Sequence, residues 1–102
     1  MIHVIATIAL KPELRDDFIQ ILKDNVPRVM AEDGCISYTP CLDVDAGLPL
    51  QGGANPNVVT IIEAWESLDH LNAHLRAPHM KEYAEHTREM KVGTTIRVVK
   101  PA

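Results

Sequence analysis

Apolar and polar positions in the first third of the chain predict a strand followed by a long helix. The run IHVIATIAL, residues 2–10, is apolar on both of its alternating faces, which is typical of a strand covered on both sides. Pro12 then suits a first helical turn, and apolar residues recur at helical spacing up to Gly34. Pro27 lies inside this segment and predicts a kink, because proline removes one helical hydrogen bond.

Alternation in the middle of the chain predicts two further strands joined by a long loop. Residues 35–44 alternate as a strand, and Pro40 within them favours an edge position or a bulge because proline cannot donate to a ladder. Residues 46–57 are rich in Gly, Pro and Asn and exceed the usual length of a hairpin loop. Residues 58–65 then form a third strand that is again apolar on both faces.

The last third of the chain predicts two short helices and a final strand. Ser67 suits an N-cap, and three leucines follow it as the expected buried stripe: Leu68, Leu71 and Leu75. Pro78 begins a second helical segment that Gly93 is expected to end, and residues 94–100 form the last strand. The order β-α-β-β-α-α-β predicts an α+β fold with a four-stranded antiparallel sheet, in one domain spanning residues 1–102.

The strands that are apolar on both sides also predict how the chain associates. Two helical blocks can cover one face of a four-stranded sheet, which leaves the second face without a cover from the same chain. In so short a chain the simplest cover is another copy of the sheet, so we expect a homodimer formed through sheet faces. The alternative is a monomer with an exposed apolar sheet.

Composition narrows the classes of partner. The chain has 102 residues, 46% of them apolar, which supports one core but not two. Its formal charge is −4 and its ten Lys and Arg residues are scattered, so we expect no nucleic-acid partner. No apolar run approaches the roughly 20 residues that cross a bilayer, so we expect no membrane partner and a cytoplasmic location. Cys35 and Cys41 lie roughly 20 Å apart along one strand, so we expect two unpaired thiols.

Three short motifs occur in order along the chain. The first is Glu-x-Gly-Cys-x-x-Tyr, matched by Glu32, Gly34, Cys35 and Tyr38. The second is Glu-x-Trp-x-Ser, matched by Glu63, Trp65 and Ser67. The third is Leu-x-x-His followed by Pro-His, matched by Leu71, His74, Pro78 and His79. In their order and spacing the chain resembles the antibiotic biosynthesis monooxygenase superfamily, and within it the small quinol-monooxygenase-like members. The resemblance implies a ferredoxin-like fold of the dimeric α/β barrel superfamily, with a pocket between sheet and helices in each subunit.

Three of the five histidines lie within ten positions, and their spacing suggests different roles. His70 and His74 are four apart, but no third ligand has a matching offset, so we expect no metal site and a solvated His70. His74 falls at the edge of the leucine stripe and is the candidate general acid or base, with a bond to backbone or to Glu63 as the alternative. His79 follows Pro78, where it can bond local backbone or contact a ligand.

One acid and three aromatic residues complete the candidate site. Glu63 lies in an otherwise apolar strand and, if buried, needs Arg97 or His74 as a partner. It can then act as a base or hold strand to helix as an ion pair. Trp65, Tyr38 and Tyr83 combine an apolar body with a polar tip and can line a cavity or simply pack.

No cofactor-binding motif accompanies these residues: GxGxxG, the P-loop and GxSxG are all absent, so we expect no cofactor. The resemblance implies that a deprotonated quinol or anthrone can reduce O₂ directly. We therefore predict a cofactor-independent monooxygenase that oxidises a small aromatic quinol or polyketide-like substrate with O₂. Its predicted catalytic residues are His74 and Glu63, and its predicted ligand-binding residues are Trp65, Tyr83, His79 and Tyr38. The alternatives are an isomerase acting on a small hydroxyketone and a non-catalytic dimeric ligand-binding domain.

Overall fold

The computed structural model describes all 102 residues, and its elements follow the predicted order. They are β1 (Ile2–Leu10), α1 (Arg15–Met30), β2 (Cys35–Leu42), β3 (Val58–Trp65), α2 (Leu68–Leu75), α3 (Pro78–Thr87), a short 3₁₀ turn (Arg88–Met90) and β4 (Lys91–Val99). The four strands form one antiparallel sheet, which confirms the predicted α+β class. No helix has both the length and the apolar composition that a bilayer crossing requires.

The sheet has the strand order β2-β3-β1-β4, so β2 and β4 are its edges. Pro40 therefore lies in an edge strand, as predicted, and its missing N–H breaks no central ladder. In the central pair, Ile61 of β3 lies opposite Ala6 of β1. Cys35 and Cys41 on β2 are both half-buried and unpaired, which confirms the expectation of free thiols.

Local signals located some element ends correctly and others wrongly. Ser67 caps α2 by accepting a hydrogen bond from the backbone N–H of His70, and Pro78 occupies the first turn of α3; both predictions are confirmed. Pro12, by contrast, precedes α1, which begins only at Arg15. Gly93 does not end a helix: the 3₁₀ turn ends earlier, and Gly93 pairs with β1 inside β4.

The core lies between the helices and one face of the sheet. Alternate residues of the two central strands are buried there: Val4, Ala6, Ile8, Val59 and Ile61. Phe18, Leu22 and Val29 of α1 pack onto them. The leucine stripe predicted for α2 is wrong in part, because Leu71 is buried together with His74 while Leu68 and Leu75 are more than half exposed. An eight-residue helix has room to bury only one narrow face.

Candidate active site

Glu63 and Trp65 lie two residues apart on β3 and face the helices. Both are buried, and Trp65 donates its indole N–H to Glu63 Oε1 over 2.9 Å. The hydrogen-bond partner of Glu63 is therefore the indole and not Arg97 or His74, the two expected partners, although His74 does interact with Glu63 electrostatically. Arg97 lies opposite Ile5 in the β1–β4 pairing, on the other face of the sheet. A carboxylate and an indole thus form one polar unit inside the apolar core.

His74 projects from α2 onto this unit and is only 2% exposed. Its ring centre lies 4.6 Å from that of Trp65 and 5.6 Å from that of Tyr38, which it meets edge-on. Its Nδ1 lies 2.8 Å from Glu32 Oε2. The structure therefore brings four of the predicted residues together, and we call them the inner cluster: Tyr38, Glu63, Trp65 and His74.

Glu32 joins the inner cluster to His79. The same Oε2 atom that contacts His74 lies 2.8 Å from His79 Nε2. An ionised carboxylate can only accept, so each ring donates an N–H to it, and in the neutral form of His74 the lone pair lies on Nε2. The expectation that His79 bonds local backbone is wrong for this nitrogen. Sequence reasoning placed Glu32 in a motif but not in the site, because Glu32 lies 42 positions before His74 and no local pattern links the two.

Burial changes the proton affinity of several groups in the site. It raises the pKa of Glu63, against the opposing effects of the Trp65 hydrogen bond and of His74. Burial, and then the charge of Glu63, raise the pKa of the Tyr38 and Tyr83 hydroxyls far above its ordinary range. Both tyrosines therefore stay protonated and remain hydrogen-bond donors near neutral pH. Burial also lowers the pKa of Lys91, whose Nζ lies 5.7 Å from the Tyr83 ring centre.

A groove of about 200 Å³ separates α1 from α3. Its lining is largely polar and consists of Ile21, Asp24, Asn25, Arg28, His79, Glu82, Tyr83 and His86. Of the predicted site residues only His79 and Tyr83 reach it. The other four form the inner cluster, and Glu32 connects the two through His74 and His79.

His70 does not behave as the solvated residue that the sequence suggested. Its Nδ1 lies 2.7 Å from Ser67 Oγ, its Nε2 lies 3.5 Å from Asp33, and its side chain is 29% exposed. Gly34 has a φ of +80°, and a Cβ at that position would overlap the His70 ring. His70 thus fastens the start of α2 onto the turn before β2. No group of three or more His, Cys, Asp or Glu side chains is arranged to hold a metal ion.

Comparison with known sequences agrees with the motifs. The family model described as "Antibiotic biosynthesis monooxygenase" matches residues 1–86. A curated relative from Escherichia coli K12, described as "Probable quinol monooxygenase YgiN", is 39% identical, and the match covers 99% of this chain and 98% of the relative. The resemblance drawn from the motifs is therefore confirmed.

Comparison with solved structures agrees with the fold. A conserved protein from Methanosarcina mazei Go1 has a TM-score of 0.85 and 26% identity, covering 99% of this chain and 92% of the other. Rv0793 from Mycobacterium tuberculosis has a TM-score of 0.81 and 24% identity, covering 99% and 94%. At this level of identity the second likeness concerns the fold alone.

Proposed function

The chain belongs to the antibiotic biosynthesis monooxygenase family, and on that premise we propose that it is a quinol monooxygenase. In this proposal it oxidises a small aromatic quinol, or a polyketide-like phenol of the same reactivity, with O₂ and without a bound cofactor. The observation that carries the proposal is the setting of His74. One nitrogen of this buried imidazole is held by a carboxylate, and aromatic rings lie on two sides of it.

This setting suits a planar aromatic substrate that must lose a proton. Because Glu32 accepts from Nδ1, the lone pair of His74 is held on Nε2, the other end of the ring. A general base of this kind contributes about 10²- to 10⁴-fold in rate. Trp65 and Tyr38 pack against the His74 ring and surround it with aromatic groups. Exclusion of water strengthens the electrostatic stabilisation of the anion that forms.

The chemistry then belongs to the substrate and O₂. His74 takes the proton of a quinol O–H, and the quinolate passes one electron to O₂, which gives a semiquinone and superoxide. These combine at a ring carbon that carries hydrogen, forming a C–O bond and a peroxide anion. The peroxide takes the quinol proton back from His74 and becomes a hydroperoxide. Loss of that C–H proton and cleavage of the O–O bond release water. One quinol and one O₂ thus yield one hydroxyquinone and one water.

Glu63 is the second proton-transfer group in the proposed reaction. Burial raises its pKa, which favours the protonated acid over the carboxylate compared with an exposed glutamate. A protonated Glu63 can then give its proton to the departing hydroxide oxygen, while the neutral His74 accepts the proton lost from carbon; transfer of that proton from His74 to Glu63 restores both groups. The Trp65 indole keeps Glu63 oriented through the 2.9 Å hydrogen bond.

We also propose that the functional unit is a homodimer joined through the uncovered face of the sheet. Ile5 and Ile62 lie on that face in the two central strands and pair with each other in register. They are 41% and 48% exposed in the single chain. A second sheet placed on this face would remove both from water, which is the main driving force for stable association.

Oxygen consumption by metal-depleted protein tests the proposed activity, with a panel of reduced naphthoquinols and anthrones as substrates. We expect uptake above autoxidation, and a fall of about 100-fold or more in His74→Gln, since the general base is lost. His86→Gln is the matched control, because His86 is exposed on α3 and makes no contact with the inner cluster.

The fate of the oxygen atoms separates the proposal from its competitors. With ¹⁸O₂ we expect one labelled oxygen in the quinone product. Uptake that yields hydrogen peroxide and an unlabelled quinone would indicate an oxidase instead. Absence of uptake on every quinol and anthrone, with the protein folded, would contradict the proposed function.

A further inference from the structure

Two imidazole rings share a single carboxylate oxygen in this fold. His74 Nδ1 and His79 Nε2 each lie 2.8 Å from Glu32 Oε2. The three side chains form a row in the order His74, Glu32, His79. Their exposed fractions rise along it, from 2% for His74 to 14% for Glu32 and 20% for His79. The row therefore runs from the enclosed inner cluster to the groove between α1 and α3, where His79 meets solvent.

One carboxylate can compensate the charge of one imidazolium but not of two. Two imidazolium rings around Glu32 would leave a net positive charge in a largely buried site, where burial disfavours charge. His79 is the less costly place for a single imidazolium charge in the row, because that ring is the more solvated of the two. His74 is then neutral and keeps a free lone pair on Nε2.

We propose that His79 is a positioning residue that acts on His74 through Glu32, so that uptake of a substrate proton by His74 drives release of a proton from His79 into the groove. This inference rests on the proposed function for the source of the incoming proton. The coupling itself depends only on the shared oxygen atom and can be measured without any substrate.

The protons balance in this exchange. The O–H bond of the quinol breaks and an N–H bond forms at His74 Nε2. An N–H bond breaks at His79 Nδ1, and groove water or buffer receives that proton. Before and after the step the row holds one imidazolium and one carboxylate, so its net charge does not change. No proton has to cross Glu32, whose oxygen accepts a hydrogen bond from each ring throughout.

Other titratable or charged groups face the same rings and affect the electrostatic potential at which this exchange takes place. Around His79 they are Asp24 and Arg28 on α1 and Glu82, Tyr83 and His86 on α3. Arg28 and Glu82 lie 3.9 Å apart and largely offset each other. Near Glu32 the groups that interact electrostatically are Cys35, Tyr38 and Glu63. None of these groups is hydrogen bonded to the His79 side chain, whose partner is Glu32.

Side-chain NMR of ¹⁵N-labelled histidines tests the coupling in the free protein. In His79→Gln the amide can still donate to Glu32 but cannot ionise, so a purely structural contact survives. We expect the titration midpoint of His74 to move to higher pH by about one unit, the size at which two sites count as coupled. His86→Gln, on the same helix and in the same groove, should leave the His74 titration unchanged.

Proton release under argon tests the exchange during substrate binding. A reduced naphthoquinol is mixed with the protein in weak buffer that contains a pH indicator. Wild-type protein should release a proton to solvent as the bound quinol ionises, whereas His79→Gln should retain it. Unchanged release, or an unchanged His74 titration, in His79→Gln would overturn the proposal.

The two proposals fail separately. A shifted His74 titration without oxygen consumption on any quinol would retain the coupling and remove the monooxygenase function. Oxygen consumption that depends on His74, together with an unaltered titration in His79→Gln, would retain the function and remove the coupling.

Discussion

The two faces of the sheet are built from the same strands but meet different surroundings. Ile61 on the covered face is 3% exposed, while its neighbour Ile62 on the other face is 48% exposed. Both are isoleucines in the middle of β3, so side-chain chemistry does not separate them. The difference is that α1, α2 and α3 all lie on one side of the sheet.

The covered face is also where the polar groups are buried. Glu63, His74 and Asn25 are each at most 5% exposed and lie on this side with the aromatic residues. No fully enclosed side-chain nitrogen or oxygen lacks a hydrogen-bond partner, so these groups are satisfied despite their burial. The uncovered face has the exposed Ile5 and Ile62 in its central strands and none of these buried polar groups. In our proposals, chemistry therefore belongs to the covered face and association to the other.

The largest effect should follow from removing the indole at the centre of the covered face. Trp65→Ala deletes a fully buried side chain and leaves Glu63 without its donor, so we expect a loss of about 3–5 kcal/mol in the free energy of unfolding. Urea denaturation at two protein concentrations measures it, and the difference between wild type and variant should be the same at both. A loss below about 1 kcal/mol would contradict the assignment of Trp65 to the core.

A smaller effect should follow from placing charge on the uncovered face. Ile62→Lys puts an ammonium group into the proposed dimer interface, so we expect the dimer to dissociate at least tenfold more readily, which is about 1.4 kcal/mol. Sedimentation equilibrium measures this. Leu50→Lys, at a fully exposed loop position, is the control and should leave association unchanged. A monomeric wild-type protein at high concentration would contradict the dimer.

The smallest effect should be a change in the pH dependence of stability. Because burial raises the pKa of native Glu63, the folded protein holds this proton more tightly than the unfolded chain. Tighter binding of this proton adds to the free energy of unfolding at every pH below the ordinary carboxyl pKa. That contribution is lost as the pH rises toward the raised pKa of native Glu63. Glu63→Gln keeps an acceptor for Trp65 and should differ from wild type by no more than about 1 kcal/mol.

Thermal unfolding across pH checks this prediction. The variant should gain stability relative to wild type as the pH rises through the window, and the difference should be smallest at acid pH. A variant that is less stable than wild type throughout would show that the Glu63 charge stabilises the fold.

Local rules predicted the elements well and the contacts among the candidate site residues poorly. The structure agrees with the predictions made from Ser67, Pro78 and Pro40. Each of these residues affects only the backbone of its own turn or strand. The inner cluster was anticipated as a set of residues, because the motifs that contain them follow one another along the chain. Its contacts were not: the partner of Glu63 is Trp65, and Glu32 was absent from the predicted site.

What the sequence determined by itself was the order of elements and the class of fold. These follow from side-chain periodicity and backbone preferences, which act over a few residues. Only the tertiary structure decided which face of β3 the helices cover and which acid meets His74. Glu32 lies 42 positions before His74 and 47 before His79, and no local period relates residues so far apart. Their contact depends on how α1 ends and how α2 and α3 pack beside it. The distance between two such side chains is set by the conformation of every residue between them, and local patterns do not determine that.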